Sequence, residues 1–484
     1  MWWDRCCGSS TESASRVNYV STRGVAAPMT FADVLLEGLA TDGGLYVPER
    51  WPTLAGIDLD RPYAEVAADV MWPFVDGSID RTVYERIVAD AYATFRPPDG
   101  STPDVVPVES LGDDLWLAEL YWGPTLAFKD VALQLVGRLF DHELTRRGER
   151  VMIVGATSGD TGSAAIDAVR GSTCVDIVVL HPHGRTSEVQ RRQMTTVSDA
   201  NVHNVAIRGT FDDCQDLVKA MFADEVFRRE VRLSAVNSIN WARVMAQIVY
   251  YVTSAAAVRH RIGSPGPVSF CVPTGNFGNI YAGYAAMRMG LEVDQLLIAS
   301  NHNDILTRFF TSGEMVIHEV LPSLSPSMDI QVSSNLERLL FEMLGRDGAA
   351  VSELMLQFRS EGAVSVPLDR LGWLREHYGA GRFSDGQCLE LMAELWRDRG
   401  LLVDPHTAVG IGVARELRRG GTPMICLGTA HPAKFPDAVE QATGIRPPLP
   451  PHLVDLFERP ERYDVRDNDV ESVKRYVRGA LTNS

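Results

Sequence analysis

The sequence has no apolar run long enough to cross a bilayer, no surplus of basic residues and no CxxC pair, and each absence removes a class of function. A spanning helix needs ~20 consecutive apolar residues, which no stretch of the 484-residue chain supplies. The opening Met1-Trp2-Trp3-Asp4-Arg5-Cys6-Cys7 lacks the apolar core of a secretory leader, so a cytoplasmic protein is expected. Lys and Arg number 46 against 63 Asp and Glu, a net charge of -17, and such a chain repels nucleic acid and anionic membranes. Neither is expected as a partner, and any anionic ligand must be held by a local site. The seven cysteines (Cys6, Cys7, Cys174, Cys214, Cys271, Cys388 and Cys426) are scattered, mostly in apolar runs such as Phe270-Cys271-Val272. They read as buried reduced thiols rather than disulfides or zinc ligands. The His181-Pro182-His183 pair has no further ligand at useful spacing, so no metal is expected. No internal repeat is visible.

What is present is enough apolar content, 45%, to fill several cores of ~150 residues each. Residues up to about Arg16 are Ser-rich and aperiodic, and a disordered tail is expected there. From Tyr19 to about Phe95 the pattern is mainly helical, clearest over Tyr63 to Trp72 and Val83 to Phe95, and it ends at the break Arg96-Pro97-Pro98-Asp99-Gly100. Beyond the break, short β-branched runs alternate with helical ones. Val151 to Val154, Asp176 to Leu180, Val202 to Ile207, Val268 to Val272 and Leu296 to Ile298 read as buried strands. The alternation predicts an α/β fold with parallel sheets flanked by helices, and a ligand at the C-terminal ends of the strands.

Four loops carry the chemistry. Gly123-Pro124-Thr125-Leu126-Ala127-Phe128-Lys129-Asp130 places one lysine between an aromatic ring and an amphipathic helix. An amine desolvated there has a lowered pKa and attacks aldehydes, as a Schiff-base lysine must; the plain alternative is a surface lysine at a helix start. Gly155-Ala156-Thr157-Ser158-Gly159-Asp160-Thr161-Gly162 follows the strand ending at Val154. It fits neither GxGxxG nor the nucleotide phosphate loop, which needs Lys where Asp160 stands. An anion cradle with Ser158 and Thr161 hydroxyls remains, or else a capped β-to-α turn. Pro273-Thr274-Gly275-Asn276-Phe277-Gly278-Asn279 is a second such loop, able to hold a phosphate on backbone amides. Leu427-Gly428-Thr429-Ala430-His431-Pro432-Ala433-Lys434-Phe435 is the last.

With these loops and Tyr19 to Gly24, Gly43 to Pro48, Gly184 to Ser187, Asn237 to Asn240, Asn301 to Asp304 and Ser325 to Asp329 in order, the chain resembles the threonine synthases. These are fold-type II (tryptophan synthase beta-like) pyridoxal-phosphate enzymes, here of the branch with an extra N-terminal domain. The resemblance runs from Tyr19 to about Gly444. It implies an N-terminal domain over 17–100 and a catalytic core of two α/β subdomains over 101–450, which leaves the tail over 1–16 and a C-terminal extension over 451–484 on either side. It implies pyridoxal 5'-phosphate as cofactor, Lys129 as the lysine joined to it, Gly275, Asn276, Phe277, Gly278 and Asn279 around its phosphate, and Thr429 beside its ring nitrogen. A neutral hydroxyl there leaves the ring unprotonated and favours elimination chemistry. The implied reaction turns O-phospho-L-homoserine and water into L-threonine and phosphate, in a monomer or homodimer. Ser158, Thr161 and Arg243 are expected on the substrate, with Arg185 and Lys434 as further candidates for its phosphate. Asp160 would repel an anion and is expected to fix its loop by accepting backbone bonds. Two positions depart from many relatives: Trp122 stands where His is common and cannot titrate, and Asn279 where Asp is common, a change expected to matter little. The alternatives are a phospho-lyase on the same scaffold, or a non-catalytic relative that binds the cofactor.

Overall fold

The computed structural model describes residues 16–96, 105–234 and 238–482. The expected disordered tail, apart from Arg16, lies outside these residues, as do Cys6, Cys7, Asn237 and most of the break after Arg96. The N-terminal region holds the helices Phe31–Glu37, Tyr63–Val75 and Arg81–Tyr92 and a short antiparallel pair, Tyr19–Ser21 with Tyr46–Pro48. Thr30 and Asp80 accept N–H groups of the first turns they precede, which starts each helix where the periodicity begins.

Two sheets follow. The six-stranded one runs, edge to edge, Tyr378–Arg382, Val293–Ser300, Val268–Pro273, Met424–Gly428, Leu115–Glu119 and Val108–Gly112. All its neighbours are parallel except the last pair. The five-stranded sheet runs Asp464–Asp467, Val202–Arg208, Val175–Pro182, Val151–Ala156 and Leu233–Ser234, parallel throughout. The five runs expected as strands are all strands. Their near-continuous apolar character comes from helices on both faces. The edge strand Asp464–Asp467 carries four polar or β-branched residues and showed no such run.

The helix expected after the Gly-Pro turn spans Lys129–Arg147, but it is not amphipathic where it matters. Every residue from Lys129 to Gly137 is buried, because the helix lies between Asp160–Val169 and Trp241–Ile262; its exposed residues are confined to the last turn, Thr145 to Arg147. That burial carries Lys129 into the interior. Five of the cysteines are described, all unpaired, and four are buried.

Candidate active site

The loop after Pro273 is a cradle of free amides. The N–H groups of Gly275 through Ile280 meet no acceptor among the described residues, and the helix Gly278–Arg288 leads away from them. Phe277 holds a left-handed backbone, φ 62°, with its ring stacked on Phe310 at 6.1 Å. This turns successive amides to one side, an anion-binding concavity. Outside the cradle the loop is braced: Ser333 Oγ donates to the Gly275 carbonyl (2.7 Å), and Asn335 donates through N and Nδ2 to that of Asn276 (3.1 and 2.9 Å). A Cβ on Gly275 would come within 2.5 Å of the Ser327 carbonyl, so the close approach requires glycine. The Asn279 side chain is not a helix cap. Its Oδ1 accepts from the hydroxyls of Tyr250 (2.5 Å) and Tyr251 (3.0 Å), while its Nδ2 is buried without a partner.

The loop after Ala156 is built differently. Thr157 Oγ1 accepts the N–H groups of Gly159 and Gly162, each at 2.9 Å, and Gly159 sits at φ 143°, outside the range of side-chain residues. Thr157, and not Asp160, thus ties the loop's backbone. Asp160 accepts from Lys129 Nζ (3.1 Å), Ser327 Oγ (3.1 Å) and Gln190 Nε2 (2.8 Å), with Lys434 Nζ at 3.2 Å. The expectation of backbone bonds was wrong because two buried ammonium groups, a hydroxyl and an amide take up the carboxylate. Ser158 and Thr161 are half-buried, and their hydroxyls and N–H groups have no partner among the described residues.

Charge around Lys129 follows from burial. Desolvation lowers its pKa, as do the charges of Lys434 and Arg243, against the pull of Asp160. Burial pushes the Asp160 carboxyl up, but Lys129 and Lys434 outweigh it and hold the group well below the usual carboxylate range. The Phe128 ring lies 5.8 Å from Lys129 Nζ. Of the three cations considered for an anion, Arg185 is exposed. Lys434 is fully buried and committed to Thr125 O (2.6 Å), Gln193 Oε1 (2.9 Å) and Asp160. Arg243 is buried with Nε and Nη1 unpartnered and no described carboxylate on its guanidinium, and burial pulls it to about 10.

Thr429 directly follows the strand Met424–Gly428. Its N–H donates to Thr407 Oγ1 (3.2 Å), its carbonyl accepts from Phe128 (2.9 Å), and its hydroxyl has no described partner. Trp122 donates to Glu119 (2.7 Å) and packs edge-on against His431.

Profiles described as threonine synthase N terminus, pyridoxal-phosphate dependent enzyme, and threonine synthase C-terminal match residues 18–92, 100–355 and 407–477. The chain is 54% identical to the threonine synthase of Pseudomonas aeruginosa over 468 residues, 95% of this chain and 98% of that one. The chain belongs to the threonine synthase family. Its fold superposes on the pyridoxal-phosphate-bound threonine synthase of Brucella melitensis with a TM-score of 0.91 at 49% identity, covering 96% of this chain and 99% of that one. For the yeast threonine synthase the TM-score is 0.90 at 37% identity, covering 97% and 100%. It is a pyridoxal-phosphate-dependent enzyme of fold type II.

The residues present fit that cofactor: six free amides suit a phosphate dianion, and a desolvated lysine suits an aldehyde. Lys129, Asp160, Ser327 and Lys434 form one contiguous cluster. Reading the sequence missed Gln190, Asp404 and His406, and did not foresee Ser327 on Lys129. Asp404-Pro405-His406-Thr407 reads locally as a helix cap with proline at the first position, which it is; nothing local says the imidazole reaches Ser327. His181 is buried with both ring nitrogens unpartnered, and burial draws it to about 4. His183 is exposed, and no cluster of three metal-ligating side chains occurs among the described residues. Among them no helix is long and apolar enough to cross a membrane.

Proposed function

We propose that this site makes L-threonine from O-phospho-L-homoserine and water, releasing phosphate, and that it does so in the cytoplasm. The observation that carries the reading is the pair of anion sites around one amine: a neutral amide cradle and, separately, the buried unpaired Arg243 guanidinium, close enough to depress the Lys129 pKa. An unpaired buried cation costs several kcal/mol unless a ligand neutralises it, so a substrate with its own phosphate is favoured over one without.

Bound pyridoxal phosphate supplies an aldehyde that joins an amine and a ring that takes up the electrons released at carbon. In this reading the amides of Gly275, Asn276, Phe277, Gly278 and Asn279 would hold its phosphate, and the Thr429 hydroxyl would serve its ring nitrogen. Lys129 is the amine that would hold the cofactor through its aldehyde. The freed amine, its pKa lowered by burial, then takes the α-proton and moves a β-proton. Arg243 draws off the departing phosphate, while Ser158 and Thr161 donate to the substrate's anionic groups. Water adds at the β-carbon and completes threonine.

Turnover in heavy-oxygen water tests this. The expected product is threonine labelled in its hydroxyl, with phosphate in equal amount. Keto acid and ammonia as main products would replace the reading with a phospho-lyase.

A further inference from the structure

The Asp404 carboxylate accepts the N–H groups of His406 and Thr407, both at 3.0 Å, which is all a helix cap requires. A cap has no need of an imidazole. Yet His406 Nδ1 lies 2.6 Å from Asp404 Oδ2, and on the far side of the ring Nε2 lies 3.2 Å from the Ser327 amide, which donates to it. A carboxylate on one nitrogen and an N–H on the other fix the tautomer: Nδ1 carries the proton and Nε2 is bare. The Phe435 ring, centroid 4.8 Å away, covers the imidazole.

Ser327 is thereby pinned at three points. Its N–H goes to His406, its carbonyl lies against Gly275, and its Oγ sits 3.2 Å from Lys129 Nζ and 3.1 Å from Asp160 Oδ2. A hydroxyl has one proton to give, and an ionised Asp160 can only accept, so Ser327 donates there and offers Lys129 its lone pairs. It faces the lysine as an acceptor only.

We propose that Ser327 is a catalytic residue, its hydroxyl fixing where the Lys129 nitrogen points its proton, and that His406 and Asp404 are positioning residues acting through it. The inference rests on Lys129 being the reacting amine, as read above. The proton that Lys129 takes from the α-carbon stays on nitrogen, held toward Ser327 Oγ, and is returned to the substrate; Ser327 neither gains nor loses a proton over the cycle. The other groups facing Lys129 are Asp160 and Lys434, the Arg243 charge and the Phe128 ring, and none is altered by the variants below.

The holoenzymes of Ser327→Ala, His406→Leu and His406→Gln decide the matter. Ser327→Ala should lower kcat by about tenfold to a hundredfold with KM nearly unchanged, the size of a lost bond to a charged group. An acceptor favours the protonated nitrogen, so its loss should also move the pH midpoint of the cofactor's visible absorption about one unit lower. His406→Leu, which touches no lysine atom, should reproduce both effects, and His406→Gln, whose amide oxygen can take the Ser327 N–H, should restore most of each. Unchanged kcat and midpoint in Ser327→Ala would overturn the proposal, even if His406→Leu failed to fold. A defect in His406→Leu that Gln does not relieve would remove His406 from it. The absorption midpoint and phosphate release read the same way whichever product forms, so failure here is distinct from failure of the synthase reading.

Discussion

The two glycine-rich loops sit at equivalent places, each between a parallel strand and a helix, and their electrostatics are opposite. The loop after Pro273 presents six unbound amides and no charged side chain, and is braced from behind by Ser333 and Asn335. The loop after Ala156 puts a carboxylate at the first position of its helix and surrounds it with Lys129, Lys434, Gln190 and Ser327. A rigid neutral cradle suits a group that stays bound, since fixed dipoles stabilise a dianion without titrating. A cluster of coupled acids and amines suits the place where protons move. The same backbone motif thus carries a neutral cradle in one place and a charged cluster in the other.

The comparison breaks most sharply at Asp160. Asp160→Asn leaves two buried ammonium groups without their carboxylate, so a loss of about 3–5 kcal/mol at neutral pH is expected, with activity reduced at least about a hundredfold. The sign with pH follows from the depressed carboxyl. Its contribution is present above the unfolded value of ~3.9 and is lost as pH falls through the lower folded one. Acid unfolding of the parent should therefore steepen below pH ~4, and the Asn variant should lack that component, as urea melts across the acid range will read. If both proteins showed one pH profile, the carboxylate would not anchor the cluster.

On the neutral side, Gly275→Ala drives a Cβ into the Ser327 carbonyl and should weaken cofactor retention by about 1–3 kcal/mol, measured by dialysis and absorbance. Arg243→Met separates the two anion sites: kcat/KM for the phosphorylated substrate should fall about tenfold to a hundredfold, while Tm holds or rises, because an unpaired buried charge is removed. A clear drop in Tm would mean the guanidinium has a structural partner. The Thr429 hydroxyl gives the last test. Thr429→Val should loosen the cofactor by about 1–3 kcal/mol through an unsatisfied ring nitrogen, and Thr429→Ser should be mild; full retention in the Val variant would dismiss the hydroxyl.

Much of this was legible in the chain. The strands at Val151 to Val154 and Val268 to Val272 announced themselves as β-branched runs, because a strand covered on both faces must be apolar throughout. The loops that follow them were visible as glycine and hydroxyl clusters. Asp160 was misjudged and His406 overlooked for one reason: their partners are 31, 167 and 79 residues away, and local pattern carries no information on which side chains a tertiary fold will bring together. The tyrosine partners of Asn279 were hidden in the same way, since Tyr250 and Tyr251 lie 29 and 28 residues away.

The sequence by itself determined the alternation of strand and helix, the glycines that permit close approach, and the choice of Lys129 as candidate amine, because these depend on periodicity, backbone freedom and motif. The tertiary structure alone decided what each charge meets. Lys434, Arg185 and Arg243 are equal in sequence as candidates for an anion; burial and packing commit the first to Thr125, Gln193 and Asp160, leave the second in water, and enclose the third with its donors free. The energy of a charge depends on its surroundings more than on its type, and those surroundings exist only once the chain has folded.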